Sequence, residues 1–166
     1  MEEAELRSQL EQHHPAAYGW ALHCCGRDTV DAEDVLQTAY LKILSGRARF
    51  SGHSSFRTWL FGVIRYTAAD QRRAWWRRLL RDSGWADQRQ ADGRHDDSAS
   101  DGQTVKLRDA MTELSGRQQE VLHLTFYQQM TIEEAAQVMD VSVGSARTHY
   151  ERGKARMRHL LNGALR

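Results

Sequence analysis

The chain of 166 residues allows one medium domain or two small ones, and a composition 40% hydrophobic and 27% charged is that of a globular protein in water. One proline and no alternating Val, Ile and Thr runs exclude a sheet protein and leave an all-α fold. No apolar run approaches the roughly 20 residues of a membrane span, and the acidic N-terminus lacks a signal-peptide core, so a cytoplasmic protein without membrane insertion is expected.

The net charge of +1 hides alternating blocks. Residues 1–34 carry eight acids and two bases, and residues 35–81 carry ten bases against Asp70. Residues 82–103 have a net charge of −4, residues 104–141 of −3, and residues 142–166 of +5. Two basic blocks set between acidic ones suggest two nucleic-acid surfaces, with acidic surfaces left for something basic.

Residues 2–12 read as a short amphipathic helix with acids in its first turn. Pro15 suits the first turn of a second helix, with Ala17, Trp20, Ala21 and Cys24 or Cys25 inward and Gly26 at its end. His23, Cys24 and Cys25, with His13 and His14 nearby, invite a metal or redox reading. Adjacent helical positions point about 100° apart, so core packing is preferred and no metal is expected. The vicinal cysteines have no other thiol to pair with, which fits a reducing compartment.

A third helix spans Asp31–Leu44, with Asp31 as N-cap and Asp34 in the first turn. Val35, Leu36, Ala39, Tyr40, Ile43 and Leu44 form its apolar stripe. Asp31, Glu33, Asp34 and Gln37 stay exposed at its start. They read as capping, as a nuclease-like carboxylate set, or as a docking point for arginines of a partner. Capping leaves Gln37 unexplained, and only Asp70 follows to complete a metal site.

Ser45–Ser55 is a Gly/Ser loop carrying Phe50, either a hydrophobic staple or part of a pocket for a flipped base. It opens the stretch that dominates the chain, Phe50–Arg81. Phe56, Leu60, Val63 and Thr67 form one buried stripe, with Arg57, Arg65 and Arg72 on the other side. Arg72, Arg73, Arg77, Arg78 and Arg81 then surround Trp75 and Trp76. Basic charge attracts phosphate and aromatic faces stack on unpaired bases, so the stretch suits single-stranded or melting nucleic acid. A solvated basic face with a tryptophan staple is the other reading.

Residues 82–103 are almost without apolar side chains and read as a flexible acidic linker between residues 1–81 and residues 104–166. Beyond it, Val105, Leu107, Ala110, Met111 and Leu114 outline a helix. Ser115–Gln118 is a capping box before Val121, Leu122, Leu124 and Thr125, and Thr131–Glu134 is a second, before Ala135, Ala136, Val138 and Met139. After a short turn, Ser142 caps a long helix with Ala146, Tyr150, Gly153, Met157 and Leu160 or Leu161 inward. Two helices, a tight turn and small residues at the crossing make a helix-turn-helix. Ser145, Arg147, Thr148, Glu151 and Arg152 lie on the outer face, with His149 at its flank. Arginine pairs with guanine edges, and serine and threonine with bases or phosphates.

Four segments, DAEDVLQTAYLKIL, FSGHSSFRTWLFGVIRYTAADQRR, LSGRQQEVLHLTFYQQMTIEEAAQVM and VSVGSARTHYERGKARMRHLL, resemble bacterial RNA polymerase sigma factors of the extracytoplasmic-function class, in their order. The resemblance implies two helical domains and promoter-directed initiation. It implies that Asp31, Glu33, Asp34 and Gln37 dock on the clamp helices of the largest subunit of core RNA polymerase. It assigns Phe50, Ser51, His53, Ser54, Arg57, Trp59, Arg65, Tyr66, Arg72 and Arg73 to minus-ten recognition and melting. Ser145, Arg147, Thr148, His149 and Arg152 would read the minus-thirty-five element. The implied partners are core polymerase and promoter DNA, duplex and single-stranded, with room for an anti-sigma factor. The implied protein is not an enzyme and needs no cofactor.

Three positions depart from the family pattern. Tyr66 stands where asparagine is usual, Gly116 where proline is usual, and Asp140 where the turn glycine is usual. Trp75 and Trp76 lie beyond the best-matched part and are expected to pack or to cover the linker start. Two other functions fit parts of the chain. One is a stand-alone helix-turn-helix regulator, and the other is a metal-dependent nuclease built on Asp31, Glu33 and Asp34.

Overall fold

The computed structural model describes residues 2–82 and 102–163. The chain divides into two compact units, Met1–His95 and Asp96–Arg166. The described residues are helical, without a strand, as expected. The predicted linker lies largely outside them. Asp82 ends one helix and Gly102 begins the next.

The first unit packs α1 (Glu3–Cys24), α2 (Thr29–Leu44) and α3 (Phe56–Asp82) against one another. The sequence predicts a break at Pro15, but α1 is a single helix of 22 residues that runs through it. Proline removes one helical hydrogen bond. Leu10 on one side and Ala17, Trp20 and Ala21 on the other are all buried, and this packing outweighs the missing bond. Trp20 is fully buried. Its Nε1 donates to the carbonyl oxygen of Phe61 at 3.0 Å, and its ring stacks on Phe61 and His23 at 5.9 and 5.2 Å.

Helix α2 starts earlier than predicted. Its N-cap is Asp28, whose Oδ1 accepts from the Asp31 amide at 2.9 Å. Asp31 therefore stands at the third helical position, and Asp34 in the second turn. Ala32, Val35, Leu36, Ala39 and Ile43 are buried, whereas Leu44, expected inside, is exposed. In α3 the core stripe is also wider than predicted. Phe56, Leu60 and Thr67 are buried, but Val63 is half-exposed, and Phe61, Ile64 and Ala68 join the core. Two helices pack on α3, so its buried face must be broader than one stripe.

The second unit holds α4 (Gly102–Thr112), α5 (Gly116–Leu122), α6 (Ile132–Met139) and α7 (Val143–Gly163), with a π-turn over His123–Tyr127. Both predicted capping boxes form, at Ser115–Gln118 and Thr131–Glu134, each with the reciprocal bond. Gly116 in place of proline leaves that cap intact. Thr125 lies half-buried within the π-turn and bonds back to the carbonyl oxygen of Val121 at 2.8 Å. Met130 is buried just after it, and its amide reaches the Leu124 carbonyl at 3.0 Å.

Gly153 lets α7 and α5 meet. A Cβ there would stand 3.1 Å from Leu122 Cδ1 and 3.4 Å from Gln118 Cβ. Gly153→Ala is therefore expected to show no net gain in Tm, the roughly 1 kcal/mol of helix propensity being offset by the forced shift. Gly153→Leu should cost about 1–3 kcal/mol. Thermal melts followed by circular dichroism would check both, and a stabilised Gly153→Leu would overturn the packing assignment.

Candidate nucleic-acid interface

The acidic residues at the start of α2 are exposed. At 100° per residue, Glu33, Asp34 and Gln37 share a face with Val30, Leu41 and Leu44, and Asp31 lies on its flank. Val30 and Leu41 are 74% and 67% exposed. Sequence reasoning passed over these two, although the same wheel places them between the polar residues. Asp34 Oδ2 accepts from Gln71 Nε2 at 3.0 Å, and Gln71 also donates to Thr38 Oγ1 at 3.2 Å, so α3 orients the middle of this face. The Asp31 carboxyl is raised above the usual carboxylate range, by burial first and then by the charges of Asp28 and Asp34. A basic partner would relieve that repulsion. Among the described residues, no three His, Cys, Asp or Glu side chains are placed to share one metal ion.

Cys24 and Cys25 are half-buried at the end of α1, not in its core. Burial, then Asp31, push the Cys25 thiol up to about 11 against a weaker lowering by Arg72. A thiol so shifted is poorly nucleophilic at neutral pH.

The loop before α3 closes onto the helix start. Ser55 Oγ accepts from the Thr58 amide at 3.1 Å and caps α3. Phe50 is half-buried, with its ring 5.6 Å from Phe56 and 5.4 Å from Trp59. It is a hydrophobic clasp for the loop, one of its two predicted roles. Ser51 and His53 are exposed and joined at 2.6 Å, and Ser54 is half-buried. His13 of α1 stacks on Phe56 at 5.9 Å.

The predicted DNA-contacting side chains of α3 fall on different faces. Trp59, Tyr66 and Arg73 lie along one line, whereas Arg65 and Arg72 lie along another. Arg57 is half-buried and sits over the Phe61 ring at 5.3 Å. Tyr66 is exposed, with Lys42 Nζ 5.7 Å and the Arg73 guanidinium 5.9 Å from its ring centre. Trp75 and Trp76 are 50% and 43% exposed and touch each other edge to face at 4.9 Å. The linker start they were expected to cover lies outside the described residues.

In the second unit, the turn between α6 and α7 has the left-handed Asp140 that the sequence implied, at φ 53° and ψ 53°. Arg117 Nη1 donates to the Met139 carbonyl oxygen at 3.0 Å and closes the end of α6. Ser142 Oγ accepts from the Ser145 amide at 3.1 Å and caps α7. Ala146 and Gly153 are buried, and Tyr150 and Met157 are half-buried. Ser145, Arg147, Thr148 and Arg152 are exposed opposite that seam, with His149 half-buried at its flank. Thr148 Oγ1 donates to the Gly144 carbonyl oxygen at 3.0 Å, so toward a ligand this hydroxyl is oriented as an acceptor. Arg147 reaches Glu133 of α6 at 3.7 Å, an exposed pair worth little.

Comparison with known proteins agrees with both halves. Residues 10–78 match the family model of Sigma-70 region 2, and residues 104–157 match Sigma-70, region 4. The RNA polymerase sigma-E factor of Streptomyces antibioticus is 31% identical over 135 residues, covering 81% of this chain and 72% of that protein. The chain belongs to the sigma factors of the extracytoplasmic-function class. A second relative, the RNA polymerase sigma factor YlaC of Bacillus subtilis, is 28% identical over 135 residues and covers 76% of this chain and 75% of its own. In fold, this sigma factor is similar to the sigma factor RpoE of Bartonella quintana, solved with the anti-sigma factor NepR. The TM-score is 0.73 at 23% identity, over 95% of this chain and 97% of that one. CnrH, solved with the cytosolic domain of CnrY, gives a TM-score of 0.62 at 23% identity, over 94% and 87%. A sigma factor binds core RNA polymerase and promoter DNA and directs initiation at promoters, so the stand-alone regulator is not favoured. No helix among the described residues is long and apolar enough to cross a membrane.

Proposed function

We propose a division of labour among three surfaces of this sigma factor. The α2 face of Glu33, Asp34 and Gln37, with Asp31 at its flank, docks on the clamp helices of the largest polymerase subunit. Val30 and Leu41 supply its apolar contacts. The loop of Phe50, Ser51, His53 and Ser54 and the α3 residues Arg57, Trp59, Arg65, Tyr66, Arg72 and Arg73 engage the minus-ten element as it melts. Ser145, Arg147, Thr148, His149 and Arg152 on α7 read the duplex minus-thirty-five element. The observation that carries this reading is the exposure of an oriented acidic face on α2 in the same unit as the basic, aromatic α3. Two individually weak DNA-binding units on one chain reach useful specificity through their effective concentration. The chemistry of RNA synthesis belongs to the polymerase, and the protein works where the polymerase does, in the cytoplasm. The complex of RpoE with the anti-sigma factor NepR supports an anti-sigma factor as a further partner here.

Genomic run-off transcription with core polymerase tests the whole reading. New, discrete start sites are expected when the protein is added. No new starts, and no complex with core, would overturn it. Asp34→Lys tests the docking face. It removes an acceptor for Gln71 and reverses a charge, and should weaken core binding about tenfold or more while the helical signal is kept. Unchanged affinity for core would rule out this face.

A further inference from the structure

We propose that the last turns of α3 bind the surface of an anionic lipid bilayer, with Trp75, Trp76 and Leu80 seated at the headgroup boundary and Arg77, Arg78 and Arg81 meeting lipid phosphates. This goes beyond the proposed function, because it uses none of the side chains placed there on promoter or polymerase.

Beyond Ala68 no described residue of α3 is buried, although the helix runs on to Asp82. That end extends roughly 20 Å past Ala68. The apolar pattern does not stop where the burial stops. Phe61, Ile64 and Ala68 of the core are followed along the same line of the helix by Trp75 and Leu79. Trp76 and Leu80 widen that line into a broad apolar face. The two tryptophans touch each other, Leu79 is half-buried between them and Leu80, and Leu80 is 65% exposed. Arg77, Arg78 and Arg81 occupy the other side of the helix and are all exposed. Arg81 Nε donates to the Arg77 carbonyl oxygen at 3.4 Å, and no acid stands in the sequence between Asp70 and Asp82.

The separation of the two faces selects the partner. Single-stranded nucleic acid needs rings and cations on one side, so that a base stacks where its phosphate is held. Duplex DNA would engage the arginines and leave two tryptophans and a leucine in water. An acidic protein helix would cover the apolar face and leave Arg77 and Arg81 pointing away from it. A bilayer surface meets both faces at once. Its headgroup boundary accepts the apolar side, tryptophan is favoured at that depth, and long arginine stems reach the phosphates from the polar side. The surplus of positive charge then favours anionic lipid. No helix among the described residues can cross a membrane, so this one lies in the plane of the surface.

The test is flotation of the full chain with vesicles of phosphatidylcholine alone, or of phosphatidylcholine with phosphatidylglycerol. Binding to the anionic vesicles is expected, with little to the neutral ones. Trp76→Ser combined with Leu80→Ser should lower that binding about tenfold or more. Arg77→Gln and Arg78→Gln should each lower it about fivefold. All four side chains are exposed, so the helical signal and the Tm of each variant should match the parent. Run-off transcription by the Trp76→Ser, Leu80→Ser variant with core polymerase, without vesicles, should match as well. If the parent does not float with anionic vesicles, the proposal is wrong. If the Trp76→Ser, Leu80→Ser variant floats as well as the parent, charge alone holds the protein and the apolar face has no part in it. If that variant keeps its vesicle binding and loses transcription, the face serves polymerase or promoter and the lipid assignment is overturned. The vesicle result stands whether or not the parent starts transcription, so its failure and that of the sigma-factor surfaces are told apart.

Discussion

Trp20→Ala is expected to unfold the first unit at ordinary growth temperature while the second unit stays folded. Trp20 is fully buried and belongs to α1, yet its hydrogen bond and stacking partner is Phe61 of α3. Removing a buried tryptophan costs about 3–5 kcal/mol, as lost transfer energy plus the cavity left behind. A unit of this size has a total stability near the low end of the usual 5–15 kcal/mol, so most of it goes. Trp20→Phe keeps most of the volume and leaves the indole bond unmade, so a cost of about 1–2 kcal/mol is expected. Thermal denaturation should show the transition of the first unit lost in Trp20→Ala and only lowered in Trp20→Phe. A Tm for Trp20→Ala within a few degrees of the parent would show that this tryptophan does not pin α1 to α3. Core binding should fall with the fold, because the proposed docking face lies on α2 of the same unit.

Arg152→Ala is expected to reduce promoter discrimination by about tenfold or more at one position of the upstream box. Arg152 is exposed on the same side of α7 as Ser145 and Thr148, opposite the buried Ala146 and Gly153. A bidentate arginine–guanine pair is worth about 1–3 kcal/mol of discrimination against the wrong base. Arg147→Ala should lose less in free energy of discrimination, because Arg147 leans toward Glu133 and lies nearer the edge of the face. Its loss should appear instead as a salt slope smaller by about one ion, the mark of a phosphate contact. Binding of holoenzyme to a promoter set varied at each upstream position, at several salt concentrations, separates the two. If Arg152→Ala weakens every sequence equally, Arg152 holds phosphate and another residue reads the base.

Much of the second unit was legible because its signals are short. A capping box closes over four residues, and both boxes form as read. The left-handed Asp140 follows from a residue that tolerates positive φ at a tight turn. The outer face of α7 follows from counting by three and four. The π-turn at His123–Tyr127 carried no such signal. It arises where Leu124 and Met130 both reach the core, and an extra residue in the turn accommodates them.

The first unit shows where local reading stops. Asp28 and Asp31 are three residues apart and each makes a credible N-cap, and the choice fell to Asp28. Pro15 reads as a helix start, but the burial of residues on both sides of it keeps α1 whole. Val30 and Leu41 stay exposed beside the acidic group on α2, although apolar side chains ordinarily turn inward.

By itself the sequence determined the helical class, the order of the segments, the caps, and the family to which the chain belongs. These rest on residue types and spacings within a few turns of helix. Tertiary structure alone decided which faces are buried. Phe61 and Ile64 entered the core in place of Val63 because α1 and α2 both press on α3. Trp20 found its partner 41 residues away. Such choices come from packing between segments distant in the chain, and a periodicity of 3.6 residues carries no information about which segment will lie opposite.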